Sequence, residues 1–212
     1  MTSAMHFSYD SRPGSSDGPT KGVGVMRNRM LKTYGVMGML LATSATGTTM
    51  LRAEVPELTR SAALVIRGTV VRAESRWTGD HRRIVTEVEV QVVETWKGTS
   101  STTTVRIVQP GGQVGDIGQR VSGLASFSMG EDVVVFLQHT GPVQYRVAGL
   151  AQGKYHVTAD AQGRLTATPE KLADAEVIDP STRAPTLVQS TPVTLAALRA
   201  RVRAVLPSTD AK

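Results

Sequence analysis

The chain contains no cysteine. Disulfides, thiolate zinc sites, a cysteine nucleophile and a lipid-modified cysteine at a processed N-terminus are all excluded, so stability has to come from packing alone. Aromatic residues are only 4% of the total and, beyond residue 45, reduce to Trp77, Trp96, Phe127, Phe136, Tyr145 and Tyr155. That is too few for a base-stacking platform. A strong charge excess is missing as well: of the 24 Lys/Arg and 18 Asp/Glu, five and two lie before residue 46, which leaves the remainder at +3 rather than the overall +6. A balance so mild is an ordinary surface and gives no argument for nucleic acid.

What is present suffices for one core: 212 residues, 40% of them hydrophobic. From Met26 the chain reads MRNRMLK, TYGVMGMLLA and TSATGTTML, a basic region, a short apolar region and a stretch of small residues. That order predicts a signal peptide over residues 26–47, cleaved after Ala45 or Gly47. The apolar part is shorter than the roughly 20 residues a spanning helix needs, so no transmembrane segment is expected after cleavage. Residues 1–25 have a Ser/Gly/Pro/Asp composition that predicts disorder or a start codon assigned too early, with Met26 as the true initiator. The rival reading keeps them as a tail and makes Tyr34–Leu41 a short buried helix.

Past the leader the periodicity turns to two. Glu54–Ala62 predicts a short helix, with Pro56 in its first turn, and strands follow over Ala63–Ala73, Ile84–Trp96, Thr103–Gln109, Val133–Leu137, Tyr145–Ala148, Lys154–Ala159 and Arg164–Thr168. Gly68 inside the first of them suggests a bulge or bend. Ile84, Val88, Val90, Val92 and Trp96 fall on one face of the second, with Glu87, Glu89 and Gln91 on the other. Val133–Leu137 is apolar throughout and predicts a strand buried on both faces. Residues 169–190 read as a linker, and 191–206, opened by Thr191-Pro192, as an amphipathic helix with the stripe Leu195, Leu198, Val202, Val205 and Leu206. The expected fold is mainly β: a small antiparallel OB-like barrel or sandwich over residues 48–168, with a short N-terminal helix and a C-terminal amphipathic helix that docks on it.

The chemistry-bearing residues are sparse. Gly112, Gly115 and Gly118 lie in a glycine-rich loop, but the spacing is not G-x-G-x-x-G, no Lys-Ser/Thr follows and the loop joins strands rather than opening a helix. Without a helix N-terminus there is no phosphate cradle. The loop still has the character of a recognition element, and Gln109, Pro110, Gly111, Gly112, Gln113, Gly115, Asp116, Gly118 and Arg120 form the expected partner site. His81, His139 and His156 show no metal-ligand spacing and read as solvated. Glu87 and Glu89 have the placement of a carboxylate pair on a face expected to meet water, and Glu131-Asp132 marks a turn. No catalytic, metal or cofactor residue is expected.

The segments LVIRGTVVRAES, TEVEVQVVETWKG (residues 86–98), QPGG, VSGLASF, GEDVVVFL and YRVAGLAQGKYHV together resemble a family of uncharacterised exported bacterial proteins. The similarity covers nearly all of the domain after the leader and implies export and a β-domain. More distantly, a strand, a long alternating strand ending in Lys-Gly and a further strand are similar to netrin-like and TIMP-like OB barrels. Those inhibitors chelate a protease metal through an N-terminal cysteine, which this chain lacks. The sequence therefore leads to an exported, periplasmic or extracellular, non-enzymatic module that binds an extracytoplasmic protein or surface component. The alternatives are an inhibitor or accessory factor of a secreted metalloprotease, and a hydrolase of envelope polymer working through Asp80, His81, Glu87, Glu89 or His156.

Overall fold

The computed structural model describes residues 48–100, 102–172, 175–186 and 191–207. The expected signal peptide and the segment before it lie outside these residues. The chain opens with β1 (Thr48–Leu51) and α1 (Val55–Ser61), then runs through β2 (Leu64–Trp77), β3 (Ile84–Lys97) and β4 (Thr104–Pro110). A small hairpin follows, β5 (Gly112–Val114) and β6 (Ile117–Gln119), before β7 (Asp132–Gly141), β8 (Gln144–Val147), a 3₁₀ turn at Leu150–Gly153 and β9 (Lys154–Ala159). The last elements are β10 (Leu165–Pro169), β11 (Ala175–Ile178), β12 (Val193–Thr194) and α2 (Leu195–Arg203). No helix among the described residues is long and apolar enough to cross a membrane.

The molecule is mainly β, and most strand pairings are antiparallel, as the alternation predicts. The sheet is not a simple closed barrel, however. Eight strands pair in the order β12-β10-β9-β7-β2-β3-β4-β8, and β8 also pairs with β7. Pairing therefore runs from β7 through β2, β3, β4 and β8 and back to β7, while β9, β10 and β12 branch away from it. β7 permits this because it is long: β2 lies along Asp132–Leu137 on one edge, and β9 and β8 follow one another along the other, against Val133–Val135 and Leu137–Gly141. β4 and β8 are parallel and meet at the single pair Ile107 and Tyr145.

Every residue from Val133 to Leu137 is fully buried, which matches the apolar run. Because side chains alternate across a strand, the run feeds two cores. Val133, Val135 and Leu137 join Leu64, Ile66, Val70, Val88, Val90, Val105 and Ile107 inside the strand circuit. Val134 and Phe136 face the opposite way, toward Leu58 of α1, Leu195, Leu198 and Val202 of α2, and Tyr155. Each such large side chain removed from water is worth about 1.5–3 kcal/mol, so β7 is where the two cores are tied together.

Some expectations are corrected. Trp96 does not share a core with Val88 and Val90; it packs on the helix side. The cause is irregular register between β2 and β3 at Val65/Ile66 and at Arg67/Gly68, where extra residues on β3 break the strict alternation. Gly68 stands at the second of these, and a Cβ there would collide with the Gln91 carbonyl. Within the segment read as a linker, Ala175–Ile178 forms β11 and pairs in parallel with β1. The C-terminal helix begins only at Leu195: Val193 and Thr194 pair with β10 instead, and the Thr194 hydroxyl caps the helix by accepting from Ala197 N at 3.1 Å. Arg199 docks α2 to β3 through Glu94 at 3.1 Å, and Glu94 in turn holds Arg67, whose guanidinium also reaches Asp132 at 2.7 Å.

Candidate functional site

The outer face of β3 and β4, turned away from Val88 and Ile107, carries an open groove of about 580 Å³. Its floor is Val85, Val108 and Pro110; its ends are the β2–β3 loop, with Thr78, Gly79, Asp80 and Arg83, and the β7–β8 hairpin, with Thr140 and Gln144. The β2–β3 loop is held in shape by its own polar groups. The Thr78 hydroxyl donates to Asp80 Oδ1 at 2.5 Å, Arg82 N donates to the same oxygen at 3.2 Å, and these bonds hold the Asp80 carboxyl below its ordinary range. Beside the loop, the Trp77 and His81 rings stack at 6.5 Å. Further along the same face the charges cancel in cross-strand pairs: Arg76 with Glu87, and Arg72 and Arg106 with Glu89, each at 3.7 Å.

Of the nine residues expected to form the partner site, Gln109 and Pro110 belong to this groove or its rim, and the others build the hairpin beside it. The glycine segment is therefore not an irregular loop but a β5–β6 ladder closed by a turn at Gly115-Asp116. It is fastened to the end of β3: Ile84 N donates to Gln119 Oε1 at 2.8 Å, Thr86 Oγ1 to Gly111 O at 2.7 Å, and Gly111 N to Ile84 O at 2.8 Å. Gly112, at φ 132°, lets the backbone lie against the Ser75 and Thr86 hydroxyls, where any Cβ would clash. Gln109 Nε2 donates to Ala125 O at 2.8 Å and so points inward, as structure rather than as contact surface. Gln113, Asp116, Gly118 and Arg120 are exposed, with Ile117 at 56% exposure among them.

The constellation that sequence reasoning missed lies on the far side of β7. Lys154, the first residue of β9, has a side chain with no exposure at all, and its ammonium donates to Ser126 O and to Glu170 Oε2 at 2.9 Å. It also stands 2.7 Å from Glu131 Oε1 and over the Phe127 ring at 4.7 Å. His156, two residues along, turns one ring nitrogen toward Glu131 and the other toward Glu170. Burial alone raises the Glu170 carboxyl, but the hydrogen bonds from Lys154 and Ser126 outweigh it and hold the group below the usual range. Glu131, His156 and Glu170 together offer three ligand atoms within 4.8 Å of one another. The Lys154 ammonium already pairs with both carboxylates, and the two nitrogens of His156 face two different carboxylates, so the arrangement is an internal ion cluster.

His156 is thus not simply solvated, and Glu131 does more than mark a turn. The signal was present in GEDVVVFL and GLAQGKYHV, where Glu131, Lys154 and His156 stand beside residues that are mostly apolar. Nothing local, however, announces that Glu170 meets them from the end of β10. The five residues of the hydrolase alternative are not gathered: Glu87 and Glu89 lie in arginine pairs on β3, Asp80 and His81 in the β2–β3 loop, and His156 in the lysine cluster. His139 stacks on Tyr145 at 4.6 Å.

No known family model and no curated protein matches the chain at a significant level.

Proposed function

We propose that this protein is an exported, non-enzymatic binding module with an OB-like core, recognising an extracytoplasmic protein or surface component through the β3–β4 groove. The groove carries the reading. In the five-stranded, partly open barrels of the OB type, ligands lie across one sheet face between two loops that border it. Here the circuit β7-β2-β3-β4-β8 has five strands and a weak seam between β4 and β8, and the groove lies across β3 and β4 between the β2–β3 loop and the β7–β8 hairpin. Charge on this face is self-neutralised, which favours a protein or polymer partner over nucleic acid. The arginine pairing of Glu87 and Glu89 leaves no free carboxylate couple for acid and base work, which supports a non-enzymatic role.

The test is affinity capture from an envelope fraction with three baits: the wild-type chain, Val108→Glu in the groove floor, and Lys171→Glu on an exposed position outside it. A partner kept by the wild type and by Lys171→Glu but lost by Val108→Glu supports the proposal. A partner kept equally by all three overturns the assignment to the groove, and an empty capture with folded wild-type bait removes the case for a binding module.

A further inference from the structure

A second cleft, of about 510 Å³, lies on the helix side of the molecule, bordered by the segment after β1, the start of α1, β9, the end of β10 and α2. Its size falls within the range of small-molecule sites, and its lining sets a small apolar wall among charged and polar groups, Arg52, Glu54, Gln152, Glu170 and Arg201. The apolar wall consists of Val55, Leu172 and Val193.

Most of the polar groups are already engaged. Arg52 pairs with Glu54 at 2.6 Å. Gln152 accepts from Ala53 N and donates to Leu51 O, both at 2.9 Å, and Glu170 belongs to Lys154 and Ser126. Two donors remain. Tyr155 is 8% exposed, packs its ring against Phe136 at 6.1 Å and borders the cleft. Among the described residues, neither its hydroxyl nor the guanidinium of Arg201 on α2 has a hydrogen bond or ion pair. Burial raises the phenol most, the Glu54 carboxylate raises it further and Arg201 acts the other way; Glu54 is itself held by Arg52. Among the described residues the hydroxyl has no acceptor, and it opens on the cleft rather than being sealed in the core, so a ligand there can supply one. Both uncommitted groups are donors, one of them cationic, so the complementary ligand group is an oxyanion, and a carboxylate accepts from both at once.

We propose that this cleft binds a carboxylate at the end of an apolar chain, with the oxyanion held by Arg201 and Tyr155 and the hydrocarbon lying on Val55, Leu172 and Val193. Two sources share that chemistry: a free aliphatic acid and the C-terminus of an apolar peptide.

The test is calorimetric titration of the protein at neutral pH with octanoate, octanamide, the tripeptide Ala-Ala-Leu and its C-terminal amide. At least one of the two acids binds, and its amide binds about tenfold or more weakly, because the charge-assisted bonds are lost. Preference for octanoate identifies a free acid; preference for the tripeptide identifies a chain terminus. Arg201→Gln and Tyr155→Phe each weaken the preferred acid by about tenfold, whereas Arg203→Gln, on the same helix but outside the cleft, leaves it unchanged. Arg201 is exposed, so Arg201→Gln decides the question even if Tyr155→Phe fails to fold. Amides that bind as well as the acids, an Arg201→Gln protein that binds like the wild type, or no binding of either acid up to about 10 mM would each overturn the assignment.

Discussion

Lys154 shows most plainly how one residue governs its surroundings. Its ammonium neutralises two carboxylates that are themselves only 14% and 10% exposed. Breaking a buried pair by removing one partner leaves uncompensated charge, so Lys154→Met is expected to cost about 3–5 kcal/mol in chemical denaturation. Glu170 gives the same cluster a pH signature. Its folded carboxyl lies below the ordinary value of 4.5, so its contribution is complete above that value and is lost as pH falls through the lower, folded one. Stability measured against pH should therefore fall on the acid side, and Glu170→Gln should flatten that fall. Tyr155 acts at the other end of the scale. Burial pushes its phenol up to about 12, against about 10 in the unfolded chain, so the native state keeps a proton that the unfolded state has released. About 3 kcal/mol is lost between roughly pH 10 and 12. Tyr155→Phe should abolish that alkaline loss, read by urea denaturation across the same interval.

Among the elements, the β5–β6 hairpin depends most on a single backbone position. Gly112→Ala would place a methyl group on the Ser75 and Thr86 hydroxyls at a φ that favours glycine, and should cost about 1–3 kcal/mol. Amide exchange would rise first in the hairpin, while the exchange of β7 remains slow. The contrast between this hairpin and β3 shows what the sequence can reveal. The period of two in Ile84–Trp96 made β3 legible, and five successive apolar residues made the burial of β7 legible. The hairpin is too short for a periodic signal, and its glycines look the same in a loop as in a ladder. Trp96 was misplaced because bulges depend on the partner strand, which no single segment records. β11 was missed because its partner is β1, more than a hundred residues away. For the site, the residue types of the Lys154 cluster were readable, but their convergence was not: Glu131, Lys154, His156 and Glu170 come from three separate elements whose meeting is a property of the pairing order.

At the scale of the whole molecule, the branched sheet makes the C-terminal helix part of the fold rather than an appendage. Leu195, Leu198 and Val202 cover Val134 and Phe136, and deleting residues 191–212 would expose that side of β7 to water. The truncated chain should bind a hydrophobic dye and lose its sharp thermal transition, whereas Leu198→Ala, a single cavity, should keep the transition and lower stability by about 2–5 kcal/mol.

Serving two cores also gives β7 a cost before folding. Val133–Leu137 is a β-prone, uncharged run without proline, the composition that drives intermolecular stacking when left unpaired. Its main partner, β2, is about seventy residues earlier, so the run must wait for distant chain to arrive. Glu131 and Asp132 stand immediately before it and repel a second copy of the same segment, so the pair that later binds Lys154 and Arg67 first serves as a gatekeeper against self-association.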